Sequence, residues 1–549
     1  MTGNAQRKSS FSRRSLCALG VVAGSAAAWF IWGHSPETNA WDPPAPAARE
    51  EALQHQDESA SAQVEAFCSD CHGMPSPETY PRDAWHRFVW RGYQYYARSG
   101  RNDLNPPPMH VAVSYFRARA PRRVTFPRPE DADHAPRATF SHEPIGLGQG
   151  VDYPVGIAYL RWTRLSRKAR PVLIACDMQG GRVFTADVAD ATPKIRQIAQ
   201  LSHPCHVEPC DLDGDGATDL VVAELGSFRA MDHTRGQVVW LRSTGAEYEK
   251  VVLASGLGRV ADVRPADFDG DGDEDLVVAV FGYSRTGKLL LLRNAGVPTG
   301  RPRFEMEVVD PRPGTIHVPI LDLNRDGTLD FVSLISQEYE SVAAFFNLGD
   351  GRFRIQTLWS GPDPTFGSTG IQVIDLDQDG DQDILLTNGD TFDDQYLKPS
   401  HGVHWLENLG GSRFAYHRIA HMAGVHRALA GDVDRDGDLD IVAVAWLHDQ
   451  LYPVSAAVQS RTSVLFLEQT SPGVFVRHSM EMGYPCHAAL ELADFDGDGD
   501  LDIAVGWMLS KKWKRVRRWL TVWRNQAGEA TEHRPQGVEG VEGGRSASP

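Results

Sequence analysis

The chain carries no surplus of basic charge. Its 55 Lys and Arg stand against 72 Asp and Glu, a net charge of −17, which argues against nucleic acid as a main partner. It has no nucleophile elbow, no phosphate-cradling loop and no dinucleotide fingerprint, so the usual signatures of hydrolases, nucleotide enzymes and Rossmann dehydrogenases are missing. Cysteine is scarce, seven residues in all. What is plentiful is turn-forming residue: 51 Gly and 34 Pro favour many short elements over long helices. At 549 residues and 42% hydrophobic, the chain is too long for one ordinary domain and apolar enough for a packed core.

The N-terminus differs from the rest. Arg7, Lys8, Arg13 and Arg14 precede an uncharged run, Leu16 to Trp32, whose 17 residues sit at the short limit for crossing a bilayer. The order, positive then apolar, predicts a signal peptide or, by preference, an uncleaved signal anchor over residues 1–32. The body of the protein is then extracytoplasmic, in the periplasm or at the cell surface. Ser12 to Leu16 resembles a twin-arginine signal. Residues 33–60 are rich in Pro, Ala and acids and predict a flexible tether. Residues 123–137 predict a linker and 527–549 a disordered tail.

Cys68-Ser-Asp-Cys71-His72 is C-x-x-C-H, the c-type haem attachment pattern: two thiols form thioethers and the adjacent His is the proximal iron ligand. No second C-x-x-C follows to close a zinc shell, and no βαβ context supports a thioredoxin pair. The spacing suits the first turn of a helix, and Ala62 to Phe67 before it favour one. Residues 61–122 resemble a small class I-like cytochrome c domain, with further helices expected from Arg82 and from Met109. That resemblance implies one covalent haem c and commonly a Met as second axial ligand. Met109 is the preferred distal ligand, with His86 and His110 as alternatives. Gly92 stands near a position where some such domains carry Met, so an open site is the remaining option.

Six acidic loops of the form D-x-[DN]-x-D-G-x-x-D begin at Asp211, Asp267, Asp322, Asp375, Asp432 and Asp494, with steps of 56, 55, 53, 57 and 62 residues. A period of that size predicts a propeller or solenoid. Oxygen ligands fall at loop positions 1, 3, 5 and 9. They are Asp211, Asp213, Asp215 and Asp219; Asp267, Asp269, Asp271 and Asp275; Asp322, Asn324, Asp326 and Asp330; Asp375, Asp377, Asp379 and Asp383; Asp432, Asp434, Asp436 and Asp440; and Asp494, Asp496, Asp498 and Asp502. Such hard oxygen donors suit Ca²⁺. Position 12 is never a carboxylate, and β-type runs such as LVVAEL and LVVAVF follow each loop, which excludes EF-hands.

This arrangement resembles the FG-GAP/VCBS family, including integrin-type propellers, over residues 138–526. The resemblance implies a structural Ca²⁺ between the first and second strands of each blade. Outer-strand segments near Phe140, Ile195, Tyr248, Phe304, Phe353, Phe414 and Phe475 count seven blades. The first blade has a basic stretch, Tyr159 to Arg170, in place of the acids, so seven blades with six Ca²⁺ are expected. The strand at Phe140 should complete the last blade and close the ring. The expected fold is mainly β: a seven-bladed propeller preceded by a small α-helical cytochrome domain and an N-terminal anchor.

The face opposite the acidic loops collects His206, His317, His426 and His487 near the inner-strand starts. Their offsets from the next loop are unequal, so a common direction is not implied. Its long turns add Asp232, Gln337, Glu338, Asp390, His401, His404 and Glu407; Glu338, Asp390, His401 and His404 are the catalytic candidates. The plain alternative is that these polar groups brace propeller loops. The basic stretch Lys511 to Arg518 reads as a solvated hairpin. Two functions fit: a membrane-tethered electron carrier whose propeller binds a redox protein or glycan, or a haem-coupled oxidoreductase with its substrate in the funnel. Disulfide pairing of Cys176, Cys205, Cys210 and Cys486, and the oligomeric state, are open; a Cys205–Cys210 bond would require that stretch not to be fully extended.

Overall fold

The computed structural model describes residues 58–146, 155–190, 192–296, 300–411, 413–453, 461–509 and 518–526. The predicted signal or anchor, most of the tether, nearly all of Lys511 to Arg518 and the tail lie outside them. Among the described residues, no helix is long and apolar enough to cross a membrane.

Seven antiparallel sheets follow one another along the chain. Their inner strands are Ile157–Thr163, Pro204–Cys210, Val260–Ala266, Thr315–His317, Ser368–Ile374, Val425–Gly431 and His487–Ala493, which open blades 1 to 7. Each inner strand packs against the next, and blade 7 packs against blade 1, so the ring is closed. Blade 4 has a broken inner strand, Thr315–His317 then Ile320–Leu321, and at the break the Val318 N–H donates to Asp262 at 3.0 Å. Blade 7 takes its outermost strand, Phe140–Gly146, from before blade 1: Phe140 pairs with Asn525 and Ile145 with Leu520. The seven outer strands are those expected from sequence.

The second strands are unbroken apolar runs for a packing reason. In Asp219–Glu224, Leu220 and Val222 face blade 1 with Ile174 and Cys176, while Val221 and Ala223 face blade 3 with Val263 and Val278. Both faces of the strand are buried, so neither alternates with polar residues. The outer strands have one wet face: half of the residues of Phe353–Ser360 are exposed.

Every inner strand slips register between its first and third residues. Such bulges re-aim side chains. The residues at the slip, Ala158, Cys205, Ala261, Ile316, Thr369, His426 and Ala488, all line one central cavity.

Among the described residues, three α-helices precede the propeller: α1 (Glu58–Cys68), α2 (Trp85–Ser99) and α3 (Met109–Arg119). Trp85 stacks on Phe116 at 4.2 Å, centroid to centroid, in a core with Val64, Val89 and Ala112. The C-x-x-C-H motif does not open a helix; it closes one. Cys68 is the last residue of α1, and Ser69 Oγ donates to the Glu65 carbonyl at 2.6 Å, which ends the helical ladder.

The helices dock on the propeller face opposite the acidic loops. Tyr80 Oη donates to Asp394 at 2.7 Å, Thr79 Oγ1 to Asp363 at 3.2 Å and Arg91 Nη2 to Tyr283 at 3.3 Å. Residues 123–137 form no regular structure but run as a strap over blade 6. Asp131 pairs with Arg477 at 3.1 Å, the Ala132 N–H donates to the Arg477 carbonyl, Arg137 bonds Asp436, and Phe126 packs near Leu397, Leu447 and Leu451.

Candidate functional site

The six acidic loops sit between first and second strands, and blade 1 has its basic stretch there instead. The glycines at position 6 have φ from 80 to 99°, a left-handed turn that glycine adopts without strain. Position 9 has a second task. The buried Asp275 accepts the backbone N–H of Asn294 at 2.8 Å and of Phe268 at 3.3 Å, clasping the third strand to the loop. Asp330, Asp383, Asp440 and Asp502 repeat this with Asn347, Asn408, Gln469 and Asn525. Burial pushes the Asp275, Asp383 and Asp502 carboxyls up to about 6. Positions 1 and 3 keep oxygens without a hydrogen-bond partner: Asp211 Oδ1, Asp213 Oδ1, Asp269 Oδ1, Asp375 Oδ1 and Asp432 Oδ1, while Asp434 Oδ2 has only the Arg137 guanidinium at 3.6 Å. Orphaned buried carboxylate oxygens grouped within 4.8 Å of one another form a donor set for a hard cation.

On the opposite face lies a cavity of about 690 Å³ between the helices and the propeller. Cys68, Cys71 and His72 line one side with Phe67, Trp85, Phe88 and Tyr96. His72 Nδ1 is 2.7 Å from the Gly73 carbonyl and donates to it, which leaves Nε2 bare. Both thiols are free, and burial pushes Cys68 up to about 11. At Gly92, nothing lies within 4 Å of where a Cβ would stand, so α2 leaves space open there. Propeller turns make the far wall: Ala230 to Asp232, Tyr283 to Arg285, Ser336 to Glu338 and the 390–398 loop.

That wall is acidic and mostly buried. Burial, then the neighbouring Asp393, pushes Asp390 up to about 7. Burial raises Glu338 as well. Lys398 Nζ pairs with Asp394 at 3.0 Å and donates to the Asp390 carbonyl. Glu340, 3% exposed, accepts the N–H groups of Gly367 and Ser368, and burial pushes its carboxyl up to about 8. The folded state thus keeps a proton that an unfolded Glu loses above roughly pH 4.3. Stability from this group is full at lower pH and is lost as pH climbs to about 8. Melting temperatures from pH 5 to 9 should therefore fall more steeply in the native chain than in Glu340→Gln; parallel curves would refute this.

The central cavity, about 250 Å³, shares Ala230, Ser336, Gln337, Ser368, Asp390 and Asp393 with the larger one. Beneath it, His206 Nε2 lies 2.9 Å from Asp262 and 3.0 Å from Glu208, and Arg264 bonds Asp262 at 3.2 Å.

The unequal histidine offsets resolve into positions along the inner strand. His206 and His317 are third residues, His426 is second and His487 is first; the first three line the central cavity, while His487 bonds Glu481 at 2.9 Å. Of the catalytic candidates, Glu338 and Asp390 reach the large cavity. His404 is wholly buried within blade 5, with Asn388 and Tyr416 on its two nitrogens, and His401 lies buried beside Gly424. Glu407 pairs with His417 on the surface. Met109 opens α3, is 40% exposed and is not in the cavity wall; His86 and His110 are not there either. Cys205 and Cys210 share one extended strand, and all six described cysteines are free. Asp393, Asp394, Lys398, Glu340 and Tyr80 carried no motif; only the acid-rich loop at 388–404 signalled part of this cluster.

The fold and its loops define a repeat propeller with an acidic turn in six of its seven blades. Residues 211–278 and 322–386 match the family model described as FG-GAP-like repeat, so the chain carries FG-GAP-like repeats on a seven-bladed β-propeller. No curated protein matches it. Solved structures with a related outline include BBS1N in complex with ARL6DN, soaked with mercury or with lead. Each is 10% identical, covers 70% of this chain and 96% of its own, and has a TM-score of 0.41. A likeness of that strength says nothing of function.

Proposed function

We propose that this chain is an exported c-type haem redox protein, with haem c held by Cys68, Cys71 and His72 in the cavity between helices and propeller. The observation that carries the reading is that these three residues open on a cavity large enough for a macrocycle, with His72 Nε2 bare and aromatic walls. Haem c, when bound, supplies one-electron acceptance at an iron coordinated by His72. The six acidic loops hold Ca²⁺ as a structural ion, which frees the opposite face for chemistry.

Of the two roles, electron carrier with a partner-binding propeller or haem-coupled oxidoreductase, the second gains from the wall the two cavities share. A small donor in the central cavity would lie beside Asp390. That carboxyl, held near pH 7, would take one of the two protons released as a sugar or alcohol is oxidised, the other passing to solvent, while the two electrons would leave singly through the haem to an external acceptor. Phe228, Phe281 and Trp446 exclude water around it.

Purified protein should give a c-type pyridine haemochrome, abolished in Cys68→Ser/Cys71→Ser. Anaerobic addition of a sugar and alcohol panel should reduce the haem, and Asp390→Asn should slow that reduction by on the order of 10²-fold. No haemochrome ends the haem reading. A normal haemochrome with no reduction by any donor leaves the electron carrier and removes the oxidoreductase.

A further inference from the structure

The helical domain supplies a proximal histidine and no distal ligand. One histidine and one methionine line the large cavity among the described residues: His72 from the helices and Met231 from the propeller turn between the second and third strands of blade 2. The other strong donors in the wall are engaged. Tyr80 Oη donates to Asp394, Tyr93 Oη to the Pro107 carbonyl, Tyr96 Oη to the Leu104 carbonyl, and Tyr95 Oη contacts Tyr283 Oη at 3.3 Å. Lys398 Nζ is paired with Asp394.

The turn that carries Met231 is held firmly by its next residue. Asp232 accepts from the backbone N–H groups of Ser284, Arg285 and Thr286 and from the Ser284 and Thr286 hydroxyls, at 2.7 to 3.2 Å. Burial opposes its charge, but these donors hold its carboxyl down at about 2. Met231 itself is 42% exposed: an apolar side chain with a fixed base and little packing of its own. In the same cavity wall, α2 offers Gly92 with open space around it.

We propose that Met231 is the sixth ligand of the haem iron, so that the propeller, not the helical domain, completes the coordination sphere. The inference rests on the haem reading above. A thioether is a fitting partner for a histidine-ligated iron and raises its potential. The propeller thereby sets the potential of a group covalently attached to another domain, and separating the two domains opens the iron.

The test uses the full-length oxidised holoprotein, with covalent haem first confirmed by its haemochrome. The native protein should be low-spin and show the weak long-wavelength charge-transfer band of methionine-ligated ferric haem. Met231→Leu, which keeps volume at a half-exposed site, should lose the band, turn high-spin and bind carbon monoxide when reduced. Met231→His should restore the low-spin spectrum without the band, and Met109→Leu should leave all of it unchanged. A native holoprotein lacking the band, a Met231→Leu protein retaining it, or its loss in Met109→Leu would overturn the assignment while leaving the haem in place. Absence of covalent haem would sink both readings, and the haemochrome tells these failures apart.

Discussion

Removing residues 138–146 is expected to destabilise the whole ring rather than trim it. Strand Phe140–Gly146 pairs along its whole length with Arg518–Asn525, and the Gln526 N–H extends the ladder to the Thr139 carbonyl. Ile145 joins the Trp519 and Leu520 core, and Phe140 packs near Phe466 and Trp523 between blades 6 and 7. Without that strand, blade 7 presents an unpaired edge and a stripped apolar face. The lost burial and ladder amount to on the order of 5 kcal/mol, comparable with the whole stability of many domains. A fall in melting temperature of on the order of 10 °C, or loss of a cooperative transition, should appear in a circular-dichroism melt. A variant that melts like the native chain would contradict the closure.

Calcium removal is the second large effect expected. An ion at a hundred times its dissociation constant contributes about 2.7 kcal/mol per site. Several sites lost together should lower the melting temperature by on the order of 10 °C. Excess chelator should produce that drop and added Ca²⁺ should reverse it; under the proposed haem reading, the haem spectrum of folded protein should stay constant. A melt indifferent to chelator and Ca²⁺ would refute the structural role of the loops. The empty loops would carry self-repelling carboxylates, although Arg242 on Asp213 at 2.6 Å and Arg293 on Asp269 at 3.3 Å offset some of that.

The ring was legible because its signals are local and repeated. The loop aspartates, the glycine at position 6 and the apolar second strands recur seven or six times, and each encodes one turn or one buried ribbon. Even the orphan strand at Phe140 was countable. Position 9 carries a second task that the sequence did not show: Asp383 also accepts the N–H groups of Asn408 and Leu376, which only the paired third strand reveals. The cavity was not legible. Tyr80 and Asp394 lie 314 residues apart, and neither has a motif. His404 looked chemical beside acids in a long loop, but strand pairing turns it inward onto Asn388. The distal-ligand expectation looked only within the helical segment, where Met109 begins a helix at the surface.

The strap of residues 123–137 fixes a load path. Tension arriving through the N-terminal segment meets the helical domain first, then the Asp131–Arg477 and Arg137–Asp436 clamps on blade 6, and only afterwards the strand Phe140–Gly146. The clamps would be stressed before the closing strand is peeled. A pull applied ahead of the strap would thus reach these ion pairs before it reached the strand that closes the ring.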